Sequence, residues 1–263
     1  MNHEIITEIV RNSRIALYLR ENLIYDIEID NPRYPLYEGL TFKANINKID
    51  KKQGFTIFKP DDFEIEVIVR NTELNNAQSY LLKITKEARR DKLAEAIIVS
   101  YTKATDHHLN AAERLKSRYD AEITEQDEII DMRGCWEQIQ ELQSDVVFLP
   151  SNKGSIIIEH TNALIAIDVN QGSSNSILNV NLTATKKIAR HIKIRRLNGL
   201  ILIDFIRMKG AKQKDDLIAS LESEFKKLDL EATVHGFTRT GLMEVTLSKQ
   251  KTPLFMLLND FLV

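Results

Sequence analysis

The segment 200–206 constrains the fold most, because it is almost entirely apolar: Leu-Ile-Leu-Ile-Asp-Phe-Ile. A short run of this kind is typical of a strand that is buried on both faces. An amphipathic helix is predicted just before it, over 181–195, and two strands are predicted earlier, over 155–159 and 163–170. Strand and helix therefore alternate in the second half of the chain, which predicts an α/β unit.

The same alternation continues to residue 247. A second helix is predicted over 215–228, followed by two last strands over 232–237 and 242–247. In the first half, helical propensity and spacing favour helices over 110–119 and 134–142.

Short runs of alternating apolar and polar residues dominate the N-terminal part. Residues 4–30 predict an antiparallel hairpin, and the turn-rich segment 31–35 ends it. Several more strands follow between 37 and 69, with aromatic residues and lysines on alternating positions. This pattern indicates a reduced OB-type barrel, which binds single strands by stacking bases on exposed aromatic rings. The alternative is that the phenylalanines form the core of the barrel; they are Phe42, Phe55, Phe58 and Phe63.

Cysteine content and hydropathy exclude several classes of protein. The single cysteine, Cys135, forms no bridge within the chain, and no Cys/His cluster has the spacing of a structural zinc site. No window reaches the roughly 18–20 apolar residues of a membrane span, and the N-terminus lacks the pattern of a signal peptide. We therefore expect a cytoplasmic protein that does not act at a membrane.

The near-zero net charge of −2 conceals an uneven distribution. Residues 1–145 carry an excess of seven acidic groups, and residues 146–263 carry an excess of five basic groups. No Asp or Glu occurs between Asp168 and Asp204, whereas six cations do: Lys186, Lys187, Arg190, Lys193, Arg195 and Arg196. If the protein binds a polyanion, the second half is the better candidate, with Lys187, Arg190 and Lys193 as phosphate contacts. The alternative is that these three cations form a solvated helix face.

Three oxygen-bearing side chains stand at the ends of apolar strands. Asp168 and Asn170 are two residues apart, so their side chains leave the same face of a strand, and Asp204 lies in the apolar run 200–206. A divalent cation would account for carboxylates in such places, and two carboxylates with an amide oxygen suit magnesium or manganese. The alternative is that Asp168 caps the following loop, and that Asp204 pairs with Arg207 or with the basic helix.

Three separated segments resemble the catalytic region of the ribonuclease E/G family. They are 163–172 (ALIAIDVNQG), 181–195 (NLTATKKIARHIKIR) and 198–206 (NGLILIDFI), and 237–246 (FTRTGLMEVT) resembles the family's closing strand pair. The segments occur in the family's order and spacing, so the resemblance covers about residues 146–255. Upstream, 37–69 is similar to a shortened form of the family's OB module, and 82–93 to the segment that follows it.

The resemblance implies a mixed α/β (α+β) fold in three parts. A split, ribonuclease-H-like N-terminal module would occupy residues 1–36 and 77–145, and a reduced OB-like β-barrel insert that binds RNA would occupy residues 37–76. A deoxyribonuclease-I-like α/β catalytic domain would follow over residues 146–263.

The resemblance also implies an endoribonuclease that acts on single-stranded RNA in RNA processing or decay. Asp168, Asn170 and Asp204 would be the catalytic residues and would hold Mg²⁺, or alternatively Mn²⁺, for hydrolysis to 5′-phosphate and 3′-hydroxyl ends. In the OB-like insert, Phe42, Lys43 and Phe55 would contact RNA. No zinc is expected, and a homodimer would form without the zinc link of the family.

Three positions depart from the family's pattern. Arg207 stands where the second motif usually continues with an acid, Ser173 replaces a basic residue, and Leu247 replaces an arginine. No counterpart of the arginine–threonine pair of the 5′-monophosphate pocket is found. A catalytically degenerate RNA-binding protein is therefore the second hypothesis, and a structural protein without an RNA role is the third.

Overall fold

The computed structural model describes residues 3–71, 74, 79–89, 92–100, 108–174, 176–248 and 251–259. They belong to two compact units, Met1–Arg133 with Gln250–Val263, and Gly134–Lys249. The first part of the chain forms β1 (His3–Val10), β2 (Ser13–Arg20), β3 (Leu23–Ile29), β4 (Thr41–Asp50), β5 (Phe55–Pro60), β6 (Val67–Arg70), β7 (Tyr80–Lys86), β8 (Ala94–Ser100), α1 (Ala111–Arg118), β9 (Ile123–Glu125) and α2 (Ile129–Met132). The remainder forms α3 (Cys135–Gln143), β10 (Val146–Phe148), β11 (Gly154–His160), β12 (Ile165–Gln171), α4 (Ile177–Ile194), β13 (Gly199–Asp204), α5 (Ala211–Lys227), β14 (Ala232–Phe237), β15 (Met243–Leu247) and α6 (Leu254–Leu258).

The first unit begins with a four-stranded sheet in the order β3-β2-β1-β9. Residues 4–30 form three antiparallel strands, and β9 joins β1 in parallel. Helix α1 packs on this sheet through Ala112 and Leu115, which contact Ile5 and Ala16 in one buried cluster. The N-cap residue Asn110 starts the helix in a capping box, because its side chain accepts hydrogen bonds from two backbone N–H groups of the first turn.

A closed barrel, with strands in the order β4-β5-β6-β8-β7, forms the rest of this unit. Its core contains the fully buried rings of Phe42, Phe58 and Tyr80. Closure requires β7 and β8, because β7 pairs with β4 and β8 pairs with β6. These two strands lie beyond the 37–76 segment predicted as the insert, whose boundaries, like those of the other domains, stay a prediction.

The second unit is built on a six-stranded sheet in the order β10-β11-β12-β13-β15-β14. β12 and β13 are parallel and are joined by α4, while the other neighbouring strands pair antiparallel. This confirms the mixed fold and the strand–helix alternation expected from the sequence.

Both long helices of this unit pack on the same face of the sheet. Ala184 and Ile188 of α4 and Leu217 of α5 belong to one buried cluster with Ile167 and Ile203. Because side chains alternate along a strand, the residues next to Ile167 in β12 and next to Ile203 in β13 point to the other face. The prediction that segment 200–206 is buried on both faces is therefore wrong for part of the strand: Leu200 and Leu202 are only half-buried and Asp204 is exposed.

The C-terminal end of α4 is fixed by a buried histidine and a buried arginine. Arg195 Nε donates to His191 Nδ1 at 2.9 Å, and its Nη2 donates to the carbonyl oxygens of Glu141 and Ser144. Burial, together with the positive charge of Arg195, lowers the pKa of His191 to about 2. His191 is thus neutral, with its proton on Nε2, which has no partner among the described residues.

In the part of the chain that the structure describes, no helix is both long enough and apolar enough to cross a bilayer.

Candidate active site

The structure brings Asp168 and Asp204 together at the end of two parallel strands. The two residues are direct register partners of β12 and β13. Neighbouring strands are about 4.8 Å apart, and residues in register point to the same face. Both carboxylates are exposed, on the face of the sheet that does not carry α4 and α5. We call Asp168, Asn170 and Asp204 the triplet, and this side of the sheet the triplet face. The register therefore places the two carboxylates side by side on this face.

Asn170 completes the predicted triplet on the same face. It lies two residues beyond Asp168 on β12 and is exposed. Its side-chain Nδ2 donates to Asp168 Oδ2 at 2.7 Å. This hydrogen bond orients the Asp168 carboxylate and leaves the Asn170 amide oxygen without a partner among the described residues.

A close backbone contact holds Asn170 in place. A Cβ atom on Gly154, at the start of β11, would lie 1.9 Å from the Asn170 carbonyl oxygen, and a Cβ on Gly172 would lie 2.4 Å from the Asn152 carbonyl oxygen. Only glycine permits this approach, and the φ of +145° at Gly154 favours glycine as well. The N–H of Gly172 then donates to the Lys153 carbonyl at 2.7 Å, which ties the end of β12 to the start of β11.

A buried amide holds the chain just after Asp204. Asn181 of α4 is fully buried, and its Nδ2 donates to the Ile206 carbonyl at 2.8 Å. In return, the backbone N–H of Ile206 donates to Asn181 Oδ1 at 3.1 Å. The two hydrogen bonds satisfy both backbone groups of Ile206 and fix the exit of β13 relative to α4.

No ion pair or hydrogen bond joins the Asp204 carboxylate to another side chain among the residues described. The alternative in which Asp204 pairs with Arg207 or with the basic helix therefore lacks support. Asp168 likewise accepts from the side chain of Asn170, and no cation among the described side chains pairs with it.

All three side chains of the triplet offer oxygen atoms as metal ligands. Within the described ranges, no three His, Cys, Asp or Glu side chains are grouped so that they could hold a metal ion. The triplet has two carboxylates, and its third member is an amide. Two adjacent carboxylates and an amide oxygen, none of them bonded to a cation in the part of the chain that the structure describes, fit a hard divalent cation that keeps several waters.

The predicted phosphate contacts on α4 do not lie beside the triplet. Lys187 faces Glu141, with 3.8 Å between Nζ and Oε1, and Lys193 Nζ donates to the Leu228 carbonyl at 2.8 Å. Burial lowers the pKa of Arg190. All three residues belong to the helix that packs on the opposite face, and they lie roughly 15–24 Å along α4 from its first residue.

Sequence reasoning missed a different set of cations, at the edge of the sheet where β12 and β13 end. Arg207 and Lys209 are exposed in the segment that leaves this edge, and Arg239 is exposed in the turn between β14 and β15. That turn lies at the same edge because Met243 pairs with Ile203. The available signal was position, since each cation lies about two to five residues beyond the end of a strand.

Of the three predicted RNA contacts on the barrel, one is a buried phenylalanine and two are partly accessible side chains. Phe42 has 0% exposure, which leaves no ring face for a base, as the alternative of a core role expected. Lys43 and Phe55 are half-buried. Phe55 lines a shallow cavity of about 500 Å³ on the barrel, together with Ile49 and Lys51.

Comparison with known proteins supports the resemblance seen in the sequence. The model of the ribonuclease E/G family matches residues 64–250. Ribonuclease G of Haemophilus influenzae is 35% identical over 139 residues, which are 50% of this chain and 28% of that protein. Ribonuclease G of Escherichia coli K12 is 34% identical over 125 residues, which are 45% of this chain and 25% of that protein.

A plant relative extends the match. The chloroplastic ribonuclease E/G-like protein of Arabidopsis thaliana is 30% identical over 202 residues, which are 71% of this chain and 20% of that protein. The chain thus spans 20 to 28% of the length of these relatives. Because the family model covers more than half of the residues, from the barrel to the last strand of the six-stranded sheet, the chain belongs to the ribonuclease E/G family.

Proposed function

We propose that the chain is an endoribonuclease that hydrolyses single-stranded RNA in RNA processing or decay. The observation that carries the proposal is the register pairing of Asp168 with Asp204, with Asn170 on the same face. Family membership supports the same reaction class. The products would be 5′-phosphate and 3′-hydroxyl ends.

The triplet would hold Mg²⁺, with Mn²⁺ as the alternative ion. When bound, such an ion lowers the pKa of a coordinated water and offsets the charge of the phosphodiester. The protein's own contribution is placement. Asp168 and Asp204 supply two negative charges from rigid strands, and Asn170 orients the Asp168 carboxylate while it offers a neutral oxygen.

RNA would reach the triplet along the edge of the sheet at which β12 and β13 end. Arg207, Lys209 and Arg239 are exposed there and supply phosphate contacts that do not depend on sequence. On the barrel, Lys43 and Phe55 would contact RNA as well. Lys187, Arg190 and Lys193 stay predicted phosphate contacts, but on the helix layer and not beside the ion.

The second candidate function is RNA binding without cleavage, and among the three departures from the family's pattern Arg207 favours it. Arg207 lies three residues beyond Asp204, so it is near the proposed ion. Ser173 is more remote in effect, because its hydroxyl donates to the Asn152 carbonyl at 3.0 Å. Leu247 pairs with Gly199 at the opposite end of β13, so this departure does not touch the triplet.

A cleavage assay separates the two functions. An unstructured RNA oligonucleotide is incubated with the full chain and Mg²⁺, beside the Asp204→Asn variant and beside each protein with EDTA. Cleavage by the wild type alone, and only with Mg²⁺, supports the nuclease. Equal RNA binding by both proteins without any cleavage supports the degenerate binder. A cytoplasmic location and a homodimer without a zinc link stay predictions.

A further inference from the structure

One strongly exposed aromatic ring lies on the triplet face. Phe148, the last residue of β10, has 76% of its surface exposed. Its neighbour Val147 is fully buried against the helix side of the sheet. Since side chains alternate along the strand, Phe148 points to the face that carries the triplet.

The strand register places this ring in line with Asn170. Ser155 of β11 is the partner of Phe148 on one side and of Asn170 on the other. The three residues form one cross-strand row, with Ser155 in the middle. Phe148 and Asn170 are two strand spacings apart, which is roughly 9–10 Å across the sheet.

We propose that Phe148 is a stacking platform for one RNA base that flanks the cleaved bond. The proposal rests on the proposed nuclease function, because it requires RNA on the triplet face. Single-stranded nucleic acids bind to exposed aromatic rings beside cationic groups, since every base offers a π-face. With the phosphate near the triplet, the ring of Phe148 is at the right side and separation to hold the neighbouring base.

A contact with a second copy of the chain is the competing use of this ring. β10 is an edge strand of the sheet, and Val146 beside Phe148 is 39% exposed. An aromatic side chain buries about 150–250 Å², whereas a stable interface buries about 800 Å² from each partner. One ring and one half-exposed valine are too small for such an interface, but they match the size of a single base.

The test couples the ring to one nucleotide. The full-length Asp204→Asn protein binds a fluorescein-labelled, unstructured RNA, and affinity is measured by anisotropy. Each nucleotide in turn is replaced by an abasic ribose. The same series is measured for Phe148→Leu, which keeps the apolar bulk, for Phe148→Trp, which restores a ring, and for Val146→Ala as the matched control. Phe148 is too exposed for its replacement by leucine to unfold the sheet.

We expect Phe148→Leu to weaken binding of intact RNA about tenfold and to leave the salt dependence of binding unchanged. Removal of one particular base should have the same effect on the parent, and no further effect on Phe148→Leu. Phe148→Trp and Val146→Ala should retain the base dependence. When the bond that the wild-type protein cuts is mapped, that base should lie next to the cleaved bond.

Three results would overturn the platform: unchanged affinity of Phe148→Leu, a loss that is equal for all abasic positions, or a dimer that dissociates on this substitution in sedimentation velocity. The last result assigns the ring to a second copy of the chain. If the coupling is found but the wild type cuts no RNA, Phe148 still stacks on a base, whereas the nuclease function and the position of that base beside a cleaved bond both fail. If cleavage is normal and the coupling is absent, the platform alone fails.

Discussion

Asp168 and Asp204 are direct register partners on parallel strands, so two like charges face the same side of the sheet. Like charges in register destabilise a sheet by about 0.2–1 kcal/mol. Neither carboxylate is paired with a cation among the described residues, so no ion pair within that part of the chain offsets this repulsion. A bound divalent cation would remove it.

Replacement of one of these acids should therefore stabilise the protein without metal. We expect Asp204→Asn to raise the free energy of unfolding by up to about 1 kcal/mol in EDTA. Mg²⁺ should raise the Tm of the wild type but not that of the variant, since ligands stabilise the state that binds them. Thermal unfolding with and without Mg²⁺ measures both effects. Equal Tm shifts in the two proteins would show that Mg²⁺ binds elsewhere.

The three members of the triplet should differ in importance. Asp168→Asn and Asp204→Asn remove a formal charge and should abolish Mg²⁺-dependent cleavage while RNA binding is retained. Asn170→Ala removes a neutral oxygen that a water can replace, so high Mg²⁺ should partly restore its cleavage. Cleavage rates across a Mg²⁺ titration test this order. The same loss for Asn170→Ala at every Mg²⁺ concentration would contradict it.

The close contact at Gly154 predicts a large effect of a single methyl group. Gly154→Ala places Cβ against the Asn170 carbonyl and should cost about 3 kcal/mol of stability. Gly241→Ala is the control, because Gly241 also has a positive φ, of +98°, but has nothing within 4 Å. It should cost only about 1 kcal/mol. Urea unfolding compares the two, and similar losses would mean that backbone strain alone matters.

His191 should make the protein sensitive to acid. Its pKa is lowered by burial from 6.5 to about 2, so below pH 6.5 the unfolded chain binds a proton that the folded chain does not. Stability from this group is complete above pH 6.5 and falls by about 1.4 kcal/mol per pH unit below it. His191→Gln, which still offers an acceptor to Arg195 Nε, should show a shallower decline between pH 6.5 and 5. Parallel stability profiles of the two proteins would rule out this origin.

Cations at the strand ends and on the helix layer should differ in their effect on RNA binding. Arg207→Gln and Lys209→Gln should each lower the slope of log affinity against log salt by roughly one unit. Lys193→Gln should lower it less, because its ammonium group already donates to the Leu228 carbonyl. Binding of one RNA at several salt concentrations gives the slopes. A larger effect of Lys193→Gln would favour the helix layer as the RNA path.

The sequence predicted those parts of the fold that depend on local pattern. The helix predicted over 181–195 is observed as α4 (Ile177–Ile194), and the strands that carry Asp168 and Asp204 lie where the apolar runs placed them. A strand–helix–strand order favours parallel strands. The two strands are parallel, and so both carboxylates lie at the same end of the sheet.

Features that depend on long-range pairing could not be read from the pattern. The apolar run 200–206 does not reveal that both helices lie on one side, so the half-exposure of Leu202 was unexpected. A stripe of cations on a helix shows that the helix is basic, but not which layer it occupies. The row formed by Phe148, Ser155 and Asn170 joins three strands, and only their register reveals it.

The two hydrogen bonds between the Asn181 side chain and the Ile206 backbone affect which positions of this sequence can vary. The Asn181 side chain bonds the backbone N–H and C=O of Ile206, as a neighbouring strand would. The backbone position of Ile206 is therefore fixed before the segment that leads to α5 begins. Residues 207–210 can then change in charge or length while the second carboxylate keeps its position. Arg207 is the first residue after Ile206, so an acid can be replaced by a base at this position without a change in the fold.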